Sequence, residues 1–104
     1  MAGAMTDELS RKAIAAVWRV ESARLIGGLV RMVRDLGLAE DLAQEALVTA
    51  LERWPETGIP DNPGAWLMAT AKNRAIDQGR RREMLYRKHA AIEGNHVAQT
   101  SVAR

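Results

Sequence analysis

All three prolines of this 104-residue chain fall between positions 55 and 63, in the stretch PETGIPDNP. Proline fixes its own φ angle and lacks an amide donor, so a stretch with three prolines and no helical period is predicted to be a loop. On both sides of it, apolar residues recur every three or four positions, which is the period of an amphipathic helix. No run alternates apolar and polar residues as a strand does. The sequence therefore predicts an all-α fold, a compact bundle of three to four helices.

The segment before the loop is predicted to form two or three helices. Thr6 is expected to cap the first helix. The predicted apolar face of that helix consists of Leu9, Ala13, Ala16, Val17 and Val20. The apolar pattern changes phase near Ser22, so we expect either a kink there or a second helix that Ser22 caps. Gly37 is the expected left-handed stop before the next helix, and Pro55 is expected to end that helix.

Two pairs of residues predict packing and capping. Gly27 and Gly28 each cost about 1 kcal/mol inside a helix relative to alanine, so we expect another helix to approach closely there. Asn62 followed by Pro63 is typical of an N-cap and the first residue of a helix. This last helix is expected to run to about Lys88.

Length and composition predict one helical domain in a reducing compartment. The chain has no cysteine, which excludes a disulfide, a thiolate metal site and a thiol nucleophile. No apolar run is long enough to span a bilayer, and the N-terminus does not resemble a signal peptide, so the cytoplasm is the expected location. We expect a disordered start or cloning remnant at residues 1–6, the helical domain at 7–88 and a frayed or disordered tail at 89–104.

Charges of opposite sign are concentrated in two segments. Residues 35–56 contain six acidic side chains and one basic side chain, a balance of −5. Residues 72–88 contain seven basic and two acidic side chains, a balance of +5. Because a basic cluster attracts phosphate and an acidic face repels it, this segregation favours two different partners over two merely solvated faces.

The stretch EDLAQEALVTALERW, residues 40–54, predicts a helix with two different faces. Its apolar face, with the preceding alanine, consists of Ala39, Leu42, Ala43, Ala46, Leu47, Ala50 and Trp54. The opposite side carries Asp41, Gln44, Glu45 and Glu52. Val48 lies in the middle of this acidic side and Leu51 at its margin, where water is expected. Exposed apolar residues among carboxylates indicate a protein-binding surface rather than a solvated face.

The last helix combines an aromatic residue with cations. One side carries Leu67, Met68, Ala71 and Ala75, and the other carries Trp66, Thr70, Asn73, Asp77 and Arg81. Stacking on an aromatic ring and cationic contacts to phosphates are what single-stranded nucleic acid requires. The alternative is that Trp66 only covers the core, and the residues alone favour the two interpretations about equally. The adjoining irregular loop favours recognition, because loops on rigid scaffolds often carry it.

Two blocks of this sequence together resemble the second conserved region of bacterial RNA polymerase sigma factors of the extracytoplasmic-function (ECF) group. AEDLAQEALVTALERW, residues 39–54, is similar to the pattern A-E-D-L-V-Q-E-x-F-x-x-A-W. AWLMATAKNRAIDQGRRR, residues 65–82, is similar to T-W-L-x-x-I-A-x-N-x-x-x-D followed by arginines. The resemblance spans roughly residues 9–88. It implies a sigma region 2-like bundle that acts in transcription initiation and is not an enzyme.

The resemblance implies that the first block docks on the clamp helices, a coiled coil of the largest subunit of the polymerase core. Three residues stand at the matching motif positions, namely Asp41, Gln44 and Glu45. By their helical placement, Val48 and Leu51 would form the desolvated centre of the contact, with Glu52 beside them. Charged groups would set register and encounter rate, and apolar atoms would supply affinity.

The resemblance implies that the second block recognises and melts the promoter minus-ten element and holds an extruded base of the non-template strand. The expected base pocket is the loop with Gly58, Ile59, Pro60, Asp61 and Asn62. The expected neighbours of the base are Trp66, Thr70, Lys72, Asn73 and Arg74. Arg80, Arg81 and Arg82 are expected to contact the DNA backbone rather than to read sequence. No cofactor or metal is implied, whereas an anti-sigma protein or a C-terminal regulatory domain is a further class of partner.

The sequence departs from the family pattern at several positions. Leu47 replaces the usual phenylalanine, and Ala69 and Thr70 replace the more typical arginine and isoleucine. The loop is proline-rich, and no segment after Lys88 resembles the helix-turn-helix of the family's fourth region. We therefore expect either an excised domain or a truncated factor that does not initiate transcription efficiently alone.

Two other classes of function stay open at this point. A polymerase-independent helical DNA-binding module would use the same arginines but would leave the acidic face without a purpose. A protein-only interaction domain would leave the arginines without one. An enzyme is disfavoured, because the two histidines, His89 and His96, have no carboxylate placed to complete a metal site.

Overall fold

The chain folds into three α-helices: α1 at Ala2–Val33, α2 at Leu36–Thr57 and α3 at Pro63–Ile92. The computed structural model describes the backbone of residues 2–92 and the side chains of residues 7–91. Over residues 2–92 there is no strand, so the predicted all-α class is confirmed. Of the predicted frayed or disordered tail, residues 89–104, the backbone of residues 89–92 is helical, and residues 93–104 lie outside the described residues.

The chain divides into two units, residues 1–74 and residues 75–104. The first unit contains α1, α2 and the first part of α3, and it holds the core. Its buried apolar side chains are Ile14, Leu25, Leu29, Ala39, Leu42, Ala43, Ala46, Ala50, Trp54, Leu67 and Ala71. In the second unit, the described side chains of residues 75–91 include none that is buried.

α1 is one continuous helix, so neither a second helix nor a cap at Ser22 is present. It begins at Ala2, and the predicted cap Thr6 therefore lies within it. The backbone of residues 2–6 is helical, which differs from the disordered start expected there.

The predicted apolar face of the first half of α1 is wrong. Leu9 is 64% exposed and Val20 is 76% exposed, whereas Ile14, Leu25 and Leu29 are buried. The helix carries two apolar stripes, and both fit a 3.6-residue period. The stripe that starts at Ile14 and continues to Leu25 and Leu29 is the one that is buried.

α1 ends in a left-handed residue that is not glycine. Arg34 has φ 58°, and its amide donates to the carbonyl of Val30 at 2.7 Å, which closes the last turn as an αL motif. Asp35 then caps α2, because its Oδ1 accepts from the amide of Leu38 at 3.0 Å. The predicted stop at Gly37 is therefore wrong, since Gly37 lies in the first turn of α2.

Pro55 lies inside α2 and does not end it. The helix continues to Thr57, whose hydroxyl donates to the carbonyl of Arg53 at 3.1 Å. The amide of Gly58 donates to the carbonyl of Trp54 at 2.8 Å. These two bonds satisfy carbonyls of the last turn, where the missing amide of a proline interrupts only the end of the helix.

The start of α3 agrees with the sequence prediction. Asn62 Oδ1 accepts from the amide of Ala65 at 3.1 Å, and Pro63 is the first helical residue. The helix ends at Ile92 rather than near Lys88.

The prediction of a close approach at the two adjacent glycines of α1 is half right. A Cβ atom added to Gly28 would lie 2.5 Å from Cε of Met68 on α3, whereas one added to Gly27 would meet no atom within 4 Å. Among the described helices, none combines the length and the apolar character that a membrane span requires.

Candidate functional site

The first candidate surface is the solvent side of α2, which we call the α2 acidic face. It consists of Asp41, Gln44, Glu45, Val48, Leu51 and Glu52. All of these side chains are exposed except Glu45, which is half-buried. Val48 is 51% exposed and Leu51 is 39% exposed. The predicted arrangement of apolar side chains among acids is therefore present at the surface.

The opposite side of α2 fixes the orientation of this face. Six of the seven residues of its predicted apolar stripe are buried, and the seventh, Leu47, is half-buried. Four of the buried residues are alanines, whose small side chains allow a neighbouring helix to approach closely. Each side chain of the α2 acidic face therefore starts from a backbone that the core holds in place.

The second candidate surface is the junction loop, residues 58–62, which connects α2 to α3. Gly58, Ile59, Asp61 and Asn62 are exposed and Pro60 is half-buried. Gly58 has φ 86° and ψ 160°, a conformation that is essentially restricted to glycine. The side-chain oxygen of Asn62 is already used to cap α3. Asn62 therefore has a structural role besides the predicted contact to a base.

Trp66 lies just beyond the junction loop and packs against Trp54 of α2. The ring centroids are 5.0 Å apart with an interplanar angle of 62°, an edge-to-face arrangement. Trp54 is buried, whereas Trp66 is half-buried and keeps part of its ring accessible. The apolar stripe predicts the burial of Trp54 correctly, but no sequence signal links it to Trp66, so sequence reasoning misses this contact.

The indole nitrogen of Trp54 is buried and has no hydrogen-bond partner among the residues that the structure describes. A buried donor left without a partner costs about 1–3 kcal/mol. Independently of this donor, the edge-to-face contact with Trp66 contributes roughly 0.5–1.5 kcal/mol beyond its buried area. The pair therefore fixes where the accessible part of Trp66 lies.

The remaining predicted DNA-binding residues lie along α3. In the first unit, Thr70 is half-buried and Lys72, Asn73 and Arg74 are exposed. In the second unit, Arg80, Arg81 and Arg82 are exposed. Exposed guanidinium groups in succession on one helix can each contact a phosphate.

A cleft next to the junction loop is missed by sequence reasoning. It has a volume of about 290 Å³ and lies between α1 and the start of α3. Its lining residues are Glu21, Arg24, Leu25, Asn62, Gly64, Ala65 and Met68. The carboxylate of Glu21 lies against Gly64, where an added Cβ atom would come 2.5 Å from its Oε2. The sequence could not reveal this cleft, since α1 and α3 meet only in the folded chain.

The described residues contain no group of three or more His, Asp or Glu side chains that could hold a metal ion. The α2 acidic face presents carboxylates around an apolar centre, and the second surface presents an aromatic ring with amide and cationic groups from the junction loop onward.

Comparison with known proteins gives one family and several relatives. The sigma-70 region 2 family matches residues 17–84. Over 56 residues, the chain is 48% identical to an uncharacterized protein of Rhizobium meliloti. It is 39% identical over 64 residues to the probable ECF RNA polymerase sigma factor SigI of Mycobacterium tuberculosis. It is 33% identical over 75 residues to the ECF RNA polymerase sigma factor SigK of Mycobacterium sp. strain KMS.

These matches cover most of this chain but only part of each relative. They include 54%, 62% and 68% of this chain, and 13%, 21% and 37% of the respective relatives. The chain thus spans less than half the length of the relatives it matches. No solved structure matches it at a significant level. By the family match and the two named sigma factors, the chain belongs to the sigma-70 region 2 family, as a region 2 domain of the extracytoplasmic-function type.

Proposed function

We propose that this domain docks on the RNA polymerase core through the α2 acidic face and recognises and melts the promoter minus-ten element through the junction loop and α3. The observation that carries the proposal is the exposure of Val48 in the middle of a carboxylate-rich surface and of Leu51 at its margin. Exposed apolar side chains with a charged rim are the anatomy of a protein interface. The partner on the polymerase is the pair of clamp helices of the largest subunit, which places the domain in the cytoplasm.

The DNA half of the proposal depends on Trp66 and the junction loop. A base that leaves the duplex loses stacking worth a few kcal/mol, and an accessible aromatic ring can replace it. Trp66 is held by Trp54, so its ring need not be ordered when the base binds. The exposed Lys72 and Arg74 supply charge for the backbone of the non-template strand. Asn73, between them, is a hydrogen-bond donor and acceptor that can contact a base edge.

The polymerase half is tested by replacing Asp41 and Glu45 together with alanine. The double variant is expected to lose binding to core RNA polymerase, because the charged rim of the interface is removed. Its helicity and melting temperature are expected to stay nearly unchanged, because neither side chain is in the core. Binding is measured by titration against core enzyme free of other sigma factors and against a clamp-helix fragment.

The matched control replaces Asp7 and Glu8, two exposed acids on α1, with alanine. It makes the same change in net charge, so it reports any general electrostatic effect. Normal core binding by the Asp41 and Glu45 double variant would show that this surface is not the docking site. Titration of the parent chain with single-stranded minus-ten DNA completes the test, because binding to DNA alone indicates a polymerase-independent module and binding to core alone indicates a protein-only domain.

A further inference from the structure

The last part of α3 contains a glycine that no packing contact requires. Gly79 lies inside α3, and a Cβ atom added to it would meet no atom within 4 Å. At Gly28, by contrast, an added Cβ atom would collide with Met68. Glycine in a helix interior lowers the equilibrium constant for helix formation about fivefold relative to alanine. A reason other than close packing is therefore needed for the glycine at position 79.

The segment that begins at this glycine lacks tertiary support. We call residues 79–92 the distal α3 segment. All of its described side chains, at residues 79–91, are exposed, including those of Met84 and Tyr86. Helices in proteins are stabilised mainly by the packing of an apolar face and less by propensity. Over the part of the chain that the structure describes, this segment packs no side chain into the core, so its helicity depends on local interactions.

The charges of the distal α3 segment oppose a helix in the free chain. Residues 79–91 contain five Lys or Arg side chains and one Glu, a balance of +4 with histidine neutral. A helix rises about 1.5 Å per residue and an extended strand about 3.3 Å, so helix formation roughly doubles the density of these cations along the segment. Glu83 lies four residues before Arg87, but such a pair stabilises a helix only slightly. Phosphates neutralise the cations, so a bound DNA backbone favours the helix.

We infer that the distal α3 segment is only partly helical in the free chain and that binding of the DNA backbone completes the helix, with Gly79 setting how much of it is formed beforehand. This inference rests on the proposed function, since it deepens the role of Arg80, Arg81 and Arg82. A segment that orders on binding loses affinity in proportion to the fraction of free chains in which the helix is absent. Gly79 thus lowers the affinity for DNA without touching it.

The first part of α3 decides where the ordering begins. Leu67 and Ala71 are buried in the core, so packing holds the first turns of α3 in every state of the folded domain. The helix therefore need not be nucleated again when DNA binds, and it extends residue by residue from these turns. A residue near the start of the extension, such as Gly79, affects every turn that follows it.

Gly79→Ala tests the inference by adding helix propensity without adding a contact. The substitution is expected to raise the affinity for single-stranded DNA about two- to fivefold, because more of the free chains already have the helix. Minus-ten and scrambled DNA are expected to gain by the same factor, since phosphates are identical in both. Fluorescence anisotropy titrations at one fixed salt concentration measure the two affinities.

Gly27→Ala is the matched control. A methyl group at Gly27 would also enter open space inside a helix. Leu25 and Leu29 beside it are buried, so packing keeps this part of α1 helical with either residue. No change in DNA affinity is expected, which separates an effect of the distal α3 segment from a general gain in stability.

Gly79→Pro makes the opposite change. Proline lacks an amide donor and clashes with the carbonyl four residues before it, so the helix is expected to end before the distal α3 segment. The affinity for both DNAs is expected to fall about tenfold or more. The melting temperature is expected to stay nearly unchanged, because the buried core side chains all lie in the first unit.

Amide hydrogen exchange at residues 80–91 measures the helix directly. In the free parent chain, exchange there is expected to be slowed less than about tenfold relative to an unfolded chain, because these residues open without disturbing the core. Saturation with single-stranded DNA is expected to slow it by a further factor of about ten or more. Amides next to Leu25 and Leu29 are the internal reference, since core packing protects them with or without DNA.

The outcomes separate this inference from the proposed function. If replacing Arg80, Arg81 and Arg82 with glutamine weakens DNA binding but Gly79→Ala binds like the parent chain, the inference is wrong and the proposed function stands. Full protection of residues 80–91 without DNA, or a gain confined to the minus-ten sequence, would also overturn the inference alone. If the parent chain binds no single-stranded DNA, the DNA half of the proposed function is wrong and the inference falls with it.

Discussion

Gly58 illustrates how much a single residue can determine at the junction of two helices. Its φ of 86° and ψ of 160° lie where residues with a Cβ atom are strongly disfavoured. A Cβ atom added there would meet no other atom within 4 Å, so contacts add nothing to the cost of a substitution. Gly58→Ala is therefore expected to lower the free energy of unfolding by about 1–3 kcal/mol through backbone strain alone. Chemical denaturation followed by circular dichroism measures this change.

Gly27→Ala is the matched control for this prediction. A methyl group at Gly27 would also enter open space, but this glycine lies inside α1 without a positive φ. The substitution is expected to raise the free energy of unfolding by roughly 0.5–1 kcal/mol, because alanine has the higher helix propensity. Equal effects of the two substitutions would show that the conformation of Gly58 is not needed by the fold. Arg34 shows that a left-handed residue need not be glycine, which is why the pattern around Gly37 predicts the stop at the wrong residue.

At the scale of the helix, Asn62 combines a cap for α3 with a position in the predicted base pocket. Its Oδ1 accepts from the amide of Ala65, and loss of such a cap costs about 1 kcal/mol, within a range of roughly 0.5–2. Asn62→Ala is therefore expected to lower the free energy of unfolding by this amount, whereas Asn62→Asp keeps the acceptor and the stability. Chemical denaturation of the two variants beside the parent chain measures the difference.

Base preference is the second readout for the same pair of variants. Asn62→Asp is expected to change the preferred base at one position of a single-stranded minus-ten DNA, because the side-chain amide donors are lost while the cap remains. Asp61→Ala, at the neighbouring exposed residue, serves as a further loop variant. If both variants weaken scrambled and minus-ten DNA equally, the junction loop does not read a base.

The sequence predicts α2 better than α1, and the reason is physical. On α2 one stripe of alanines with Leu42 and Trp54 is apolar, and the rest of the surface is mainly polar, so periodicity leaves one solution. On α1 two stripes are apolar, and only tertiary packing decides which is buried. The prediction that Pro55 ends α2 fails because one missing proline amide in the last turn does not stop the backbone from continuing to Thr57.

Some features of the candidate sites can be predicted from residues close in sequence, and others depend on tertiary contacts. The α2 acidic face and the cap at Asn62 follow from residues close in sequence, so both were predictable. The contact between Trp54 and Trp66 and the cleft at Glu21 each join residues from different helices. A single sequence contains no local pattern that specifies them.

Across the whole molecule, the proposed function assigns the polymerase core to the acidic segment 35–56 and DNA to the basic segment 72–88. Carboxylates on α2 repel DNA, and cations on α3 attract it, so the charge pattern discourages each partner from the wrong surface. This effect is sequence-independent and weakens as salt screens the charges. Recognition of an unpaired base in the proposed function therefore requires a specific site in addition to this charge attraction.

Substitution of Arg80, Arg81 and Arg82 measures the sequence-independent contribution to DNA binding alone. Replacing all three with glutamine is expected to weaken binding to minus-ten and scrambled single-stranded DNA by the same factor, because phosphates are identical in both. If each arginine neutralises one phosphate, the slope of log K against log salt becomes less steep by about 2, since each contact to a single strand contributes roughly 0.7. The control replaces three exposed cations of α1 and α2 with glutamine, namely Lys12, Arg31 and Arg53. It makes the same change in net charge and should leave the slope nearly unaltered. Counterion release depends on the phosphates neutralised and not on the bases beside them. Backbone contacts by this cluster would therefore be excluded if the triple variant kept the original slope, or if it lost affinity only for the minus-ten sequence.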